Sequence, residues 1–425
     1  YTLTLWTRSG YSETHLQQLQ SLAEAGPPDP RPERAQIRVE VSTGSGGSPL
    51  TSEERDVSPV ALQGAPTEAT NDDGGNIWVD AASGFRHAVS ENHFHQPLGS
   101  DPILDPWTLG ELPLAFDQPD MMAKAAAVLP DGTRRLYGFN SVNPFCQGTG
   151  ETCQAILSAD VTGPGDPLYD VPAAPNPVYI VYNSGDENPW VGDPHVFVDP
   201  DTDRIWLTFG GGTGIYTAEL EPVSGYIVGA SGPVDFDANP LLFNKIADWN
   251  GDEWTGDSEW FEGAAIHKHE DIYYLFTSAG NLGETYTIRM GRSDGPTGPY
   301  RDKQGRDMAW EDVVDAEFGN SFFLGDEGDQ LVPGHPHFWL EGERTLMGFD
   351  YRTSKTIEDD EAFDTLAIRE VFWVDGWPTV WTPIRLEINA DDFPAQLGSP
   401  LTVAISNTGD AASVLLVDGV DIRVE

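Results

Sequence analysis

Residues 254–300 read WTGDSEWFEGAAIHKHEDIYYLFTSAGNLGETYTIRMGRSDGPTGPY. The pattern is that of an antiparallel β-unit. Residues 261–266 form a short apolar run, Glu270-Asp271 a polar turn, residues 272–276 an aromatic strand, and residues 285–293 a third strand after a glycine-containing loop. That succession makes up one blade of a β-propeller. Glu262 stands among Trp260, Phe261, Gly263 and two alanines, where desolvation would keep a proton on it and make it a general acid. The same position also suits a glutamate solvated on an edge strand beside a turn.

Working outward, similar units recur at a loose spacing of about 50 to 75 residues, each entering on a short apolar strand and then turning. They cover residues 64–92, 123–142, 192–222 and 333–352, the last with outer strands at 366–378. With the opening stretch they make five, so the expected fold is all-β, a five-bladed propeller over residues 61–385. Residues 1–60 differ. Residues 1–6 and 37–42 alternate as strands, and residues 12–25 carry Leu16, Leu19 and Leu22 at helical spacing behind Ser12 as an N-cap. A small α/β extension, a βαβ appendage, is expected there, followed by a linker over residues 46–56. The tail, 386–425, holds two further strands that either close the ring or pair with the N-terminal ones.

The 23 basic residues against 69 acidic ones give a net charge of −46. Acidic residues are scattered along the chain, which speaks for adaptation of the whole surface to molar salt rather than for an acidic tail. An ordinary acidic secreted protein is the plainer alternative. Such a surface repels nucleic acid and anionic membranes. No run of eighteen apolar residues is present to span a membrane; a secreted protein is expected, and the start at Tyr1 suits removal of a signal segment as well as a sequence trimmed at its start. Cys146 and Cys153, in a glycine-rich loop, are expected to form a disulfide in an oxidising compartment, with two free thiols as the alternative; two ligands are too few for zinc. The glycines at 210–212 lack a following helix and lysine, so they read as a blade turn rather than a phosphate loop.

Phe261-Glu262-Gly263 followed by Tyr273-Tyr274-Leu275-Phe276-Thr277-Ser278, then Tyr286-x-Ile288-x-x-Gly291-Arg292-Ser293 and Gly298-Pro299-Tyr300, resembles glycoside hydrolase family 43, in particular its arabinanase-like branch. The resemblance runs with gaps from about Asp193 to Pro378. It implies a five-bladed propeller that hydrolyses a polysaccharide with inversion, most closely α-L-arabinan, with β-xylosidase, galactanase or arabinofuranosidase activity as neighbouring options. A propeller that binds sugar without cleaving it is the alternative of a different class. By resemblance Glu262 is the acid, and Asp193, in Gly192-Asp193-Pro194-His195, tunes and orients it. Pro194 is expected to keep Asp193 out of the helical region. A plain Asp-Pro turn suits Asp199-Pro200 and Asp101-Pro102 better. His335, in Gly334-His335-Pro336, is the expected axial histidine, facing a sugar or holding a calcium or sodium ion or its water shell; Pro336 departs from the family pattern. Trp260 is the other candidate sugar contact. No cofactor is required for the chemistry, and a monomer is expected. The catalytic base is where the sequence departs most: Ala65-Pro66 stands where the family has Asp-Pro. Asp120 is the best-placed substitute, with Glu68 behind it and Asp101 or Asp56 as alternatives should the alignment be shifted.

Overall fold

The computed structural model describes residues 2–11, 35–43, 49–57, 76–81, 84–89, 93–102, 107–110, 121–140, 154–161, 178–183, 190–212, 214–248, 260–282, 285–309, 321–326, 330–352, 365–374, 376–380, 382–387, 401–407 and 413–423. Among these, the regular structure is β-strand apart from one short 3-10 turn at Pro240–Leu242.

Five sheets follow one another along the chain, and each begins with the strand that will face the axis. These first strands are Asn76–Asp80, Met121–Val128, His195–Val198, Trp260–His269 and Leu331–Glu341. Within a sheet, successive strands pair in order, as Trp260–His269, Ile272–Gly280, Thr287–Ser293 and Ser321–Leu324 do in the fourth. The second sheet gains a fifth strand, Val234–Asp235, which runs parallel to Val178–Tyr182. Ile77, Ala127, Val196, Ile266 and Phe338, one from each first strand, line a common cavity of about 270 Å³. All five first strands therefore surround one axis, and the molecule is a five-bladed β-propeller. The cavity lies toward their C-terminal ends.

The packing between blades follows from the apolar alternation of their strands. Tyr137, Ile156, Leu207 and Phe209 belong to one buried cluster, and Ile215, Phe261, Leu275 and Tyr300 to another. Burying such a side chain is worth roughly 1.5–3 kcal/mol. A one-residue slip of the strand carrying Phe261 would take that ring out of its cluster and onto the opposite buried face, so the register that places Glu262 is firmly held.

The chain divides into two compact units, residues 64–340 with 347–368, and residues 1–63 with 341–346 and 369–425. In the second, Thr2–Tyr11 lies between Thr382–Glu387 and Ser413–Arg423, while Ala35–Thr43 lies between Leu401–Asn407 and Pro49–Val57. All these pairings are antiparallel. The N-terminal strands thus pair with C-terminal ones and do not form a βαβ unit. The linker expected over residues 46–56 is also corrected, because Pro49–Val57 is a strand in register with Ala35–Thr43. Its polar sequence carries no alternation, so only the partner strand reveals it. The helix expected over residues 12–25 lies outside the described residues.

Candidate active site

Asp193 precedes the third axial strand, and its position is built by a tryptophan. Trp190 crosses Gly192 and Gly211 so closely that a Cβ on Gly192 would sit 2.7 Å from its ring. The Gly210 N–H donates to the Gly192 carbonyl at 3.0 Å, tying the approach to the adjoining hairpin. The glycines at 210–212 therefore make a blade turn that accommodates Trp190. Pro194 does keep Asp193 out of the right-handed helical region, yet the residue sits at φ +48 rather than in extended backbone. Aspartate tolerates this left-handed conformation better than most residues. Its side chain is buried, with the residue 3 % exposed.

Glu262 is on the fourth axial strand, 2 % exposed, opposite Ser278. Immediately beyond it the register shifts, so that Gly263 and Ala264 face the single residue Thr277. This is a β-bulge with a glycine at φ +57, a device that re-aims neighbouring side chains. The Gly263 N–H donates to Asp193 Oδ2 at 3.0 Å, so the third blade fixes the bulge of the fourth. A Cβ on Gly263 would lie 3.0 Å from Ser278 Oγ and 3.1 Å from the His335 ring. Glu262 Oε1 accepts a 2.8 Å hydrogen bond from the buried Tyr286 hydroxyl.

The fifth blade closes the group. His335, at φ +47, donates its backbone N–H to Ser278 Oγ at 2.8 Å and places Nε2 3.1 Å from Asp193 Oδ2. Three of the residues singled out in the sequence, Asp193, Glu262 and His335, are thus brought together toward the N-terminal ends of adjacent axial strands. They lie at the end opposite the cavity. Trp260 begins the same strand as Glu262, paired with Gly280; its ring contacts lie outside the described residues. So do Ala65, Glu68, Asp120, Cys146 and Cys153. Asp101 lies between the third and fourth strands of the first sheet, on the outer side of that blade, and Asp56 lies in the other unit.

Sequence reading did not assign roles to Trp190, Ser278 or Tyr286. Tyr286 was visible as a motif residue, but its bond to Glu262 joins residues 24 apart, Glu262 on the axial strand and Tyr286 just before the third strand of the blade. A cavity of about 10 Å³, the size of one water, lies beside Tyr286, Gly334 and His335, with Asp350 and Arg352 on its wall.

Further along the axis His195, His267 and His337 are buried. Burial lowers all three, His195 to about 4 and the other two to about 3, with the neighbouring His195 adding to the effect on His267 and His337. They are neutral imidazoles at ordinary pH. Among the described residues no three His, Cys, Asp or Glu side chains converge as ligands. Calcium prefers six to eight oxygen donors, and His335 offers one nitrogen already against Asp193. The described residues around His335 do not by themselves make a protein-built ion cage.

A five-bladed propeller that holds a buried glutamate, with a buried aspartate on the next residue's N–H, has the framework of a carboxylate-based site. Residues 176–378 match the sequence profile of glycosyl hydrolases family 43, which bears out the resemblance read from the motifs over that stretch. Arabinan endo-1,5-alpha-L-arabinosidase B of Emericella nidulans is 30 % identical over 216 residues, 44 % of this chain and 52 % of that protein. The extracellular endo-alpha-(1->5)-L-arabinanase 2 of Bacillus subtilis is 31 % identical over 224 residues, 47 % of this chain and 43 % of that one. The chain thus spans about half the length of these curated relatives or less. The crystal structure of an exo-1,5-alpha-L-arabinanase from a bovine ruminal metagenomic library superimposes with a TM-score of 0.55 at 19 % identity, covering 75 % of this chain and 97 % of that one. It shares the propeller fold.

Proposed function

We propose that the protein is an inverting glycoside hydrolase acting on α-1,5-linked L-arabinan. The observation that carries this reading is the Glu262–Asp193 pair, bound through the Gly263 N–H at a bulge. A carboxyl group buried to this degree is costly to ionise, which suits it to deliver a proton. As the glycosidic C–O bond breaks, its electron pair goes to the leaving oxygen, which takes the proton from Glu262. Water adds to the anomeric carbon from the opposite face and gives its proton to a second carboxylate. Asp120 is our choice for that base, with Glu68 as the next candidate. Asp193 holds the bulge and so the aim of Glu262. Names of similar proteins include both endo- and exo-acting enzymes, so the reading commits to the linkage and not to the mode of attack. Reducing-sugar release from arabinan, xylan and galactan in molar NaCl tests it. Release from arabinan well above the others is expected; release from xylan or galactan instead would move the substrate, and binding without release would make the protein a lectin.

Four further properties belong to the same proposal. An ion at His335 would be carried mainly by its own water, so EDTA treatment is expected to leave the fold intact. The protein is extracellular, a location printed in the name of the Bacillus subtilis relative. Cys146 and Cys153 are bridged, as intact mass before and after reduction and alkylation would show. Its acidity is an adaptation to high salt.

A further inference from the structure

We infer that Tyr286 is a positioning residue that selects which oxygen of Glu262 carries the transferable proton and how readily it leaves; this rests on the acid role proposed above. The Tyr286 hydroxyl donates to Glu262 Oε1 at 2.8 Å, and both residues are 2 % exposed. A donor fixed on Oε1 keeps that oxygen an acceptor, so the proton resides on Oε2. The same bond strengthens as the carboxylate forms, because donors favour the charged form of a carboxyl group. The ring has little freedom to leave. Its backbone N–H donates to the Asn281 carbonyl at 2.9 Å, and its Cδ1 lies 2.8 Å from where a Cβ on Gly334 would be. Gly334 is thereby required to lack a side chain, and it adjoins His335, whose imidazole meets Asp193. Tyr286 thus links the acid to the blade that contacts its partner carboxylate.

The test is Tyr286→Phe, which keeps the ring against Gly334 and removes only the hydroxyl. Losing the donor raises the proton affinity of Glu262, so the basic limb of the kcat profile is expected to move up by about one pH unit. On arabinan, kcat is expected to fall about 10- to 100-fold with KM nearly unchanged. An aryl arabinofuranoside with a strongly acidic leaving group needs little protonation and should be nearly spared. An unmoved limb, or a rise in KM with kcat intact, would overturn the inference. Infrared titration provides a readout independent of turnover: the carboxyl C=O band lost in Glu262→Gln should titrate at higher pH in Tyr286→Phe than in the wild type. If no glycan is cleaved at all, the functional reading fails while this band still decides the Tyr286 bond. A band that titrates identically in both proteins refutes it.

Discussion

Glu262 and Asp193 are both buried carboxyl residues, yet their surroundings differ. Glu262 has a phenol on one oxygen; Asp193 has a backbone N–H and an imidazole against one of its own. In the proposed mechanism the first releases a proton and the second holds the bulge that aims it. Glu262→Gln is accordingly expected to retain sugar binding and lose about 10²–10⁴-fold in kcat, measured on an unactivated arabinan oligosaccharide. Near-normal turnover would remove Glu262 from the acid role. Asp193→Asn removes a proton-retaining neighbour, so the basic limb should move down in pH as activity falls. This is opposite in sign to the shift expected for Tyr286→Phe, and an unchanged profile would end the assignment of Asp193. For the base, Asp120→Ala should abolish turnover, with azide restoring it; turnover untouched by the mutation would redirect the search to Glu68. Glu262, Asp193 and His335 were singled out because the motifs around them, Phe-Glu-Gly, Gly-Asp-Pro-His and Gly-His, resemble those of family 43. Tyr286, Ser278 and Trp190 were assigned no role. Their roles come from contacts across 24, 57 and 21 residues of chain, to Glu262, His335 and Gly211.

The axial strands do more than carry the acids, because their inner faces bury histidines. His195 and His267 have depressed basicity from burial, to about 4 and about 3. In the unfolded chain both return to about 6.5. Between pH 6.5 and pH 4 the unfolded state therefore binds more protons, and stability falls as the pH is lowered through that window; above pH 6.5 the contribution is complete. At pH 5 each such group costs about 2 kcal/mol relative to pH 7, at 1.36 kcal/mol per unit, and the equally buried His337, lowered to about 3, makes a third. Urea unfolding midpoints at the two pH values should show the loss, and His267→Gln should remove about a third of the part that His195, His267 and His337 contribute together. Equal midpoints in the wild type would mean that these rings are already protonated in the fold. At the same scale, the blade strands were readable because aromatic and β-branched residues alternate with turn residues between them. The strand at Pro49–Val57 was not, since its sequence is polar on both faces and its conformation is set by the strand beside it.

For the molecule as a whole, the fold was legible from repetition. Five units entering on apolar strands leave few alternatives, whereas nothing in a single unit reveals that residues 1–63 share sheets with the C-terminal strands. Charge is the other property that only the whole chain displays. Ion pairs such as Arg204–Glu219, Lys268–Asp199 and Arg306–Asp302 neutralise acids locally. Were every one of the 23 basic residues so engaged, 69 − 23 = 46 acids would still lack a cationic partner. Salt acts on both populations in opposite directions. It weakens exposed pairs, which are worth about 0–1 kcal/mol each, and it relieves repulsion among the excess acids. The excess outnumbers the pairs, so relief should win as the screening length shrinks from about 10 Å at 0.1 M to about 3 Å at 1 M. Melting temperature is therefore expected to climb from dilute buffer to molar NaCl, with most of the rise below 1 M, and KCl should act alike because screening depends on ionic strength. Equal osmolality of sucrose should give a smaller rise, since it leaves the charges unscreened. A melting temperature that is flat or falls across the NaCl series would show that the acidity serves something other than life in salt.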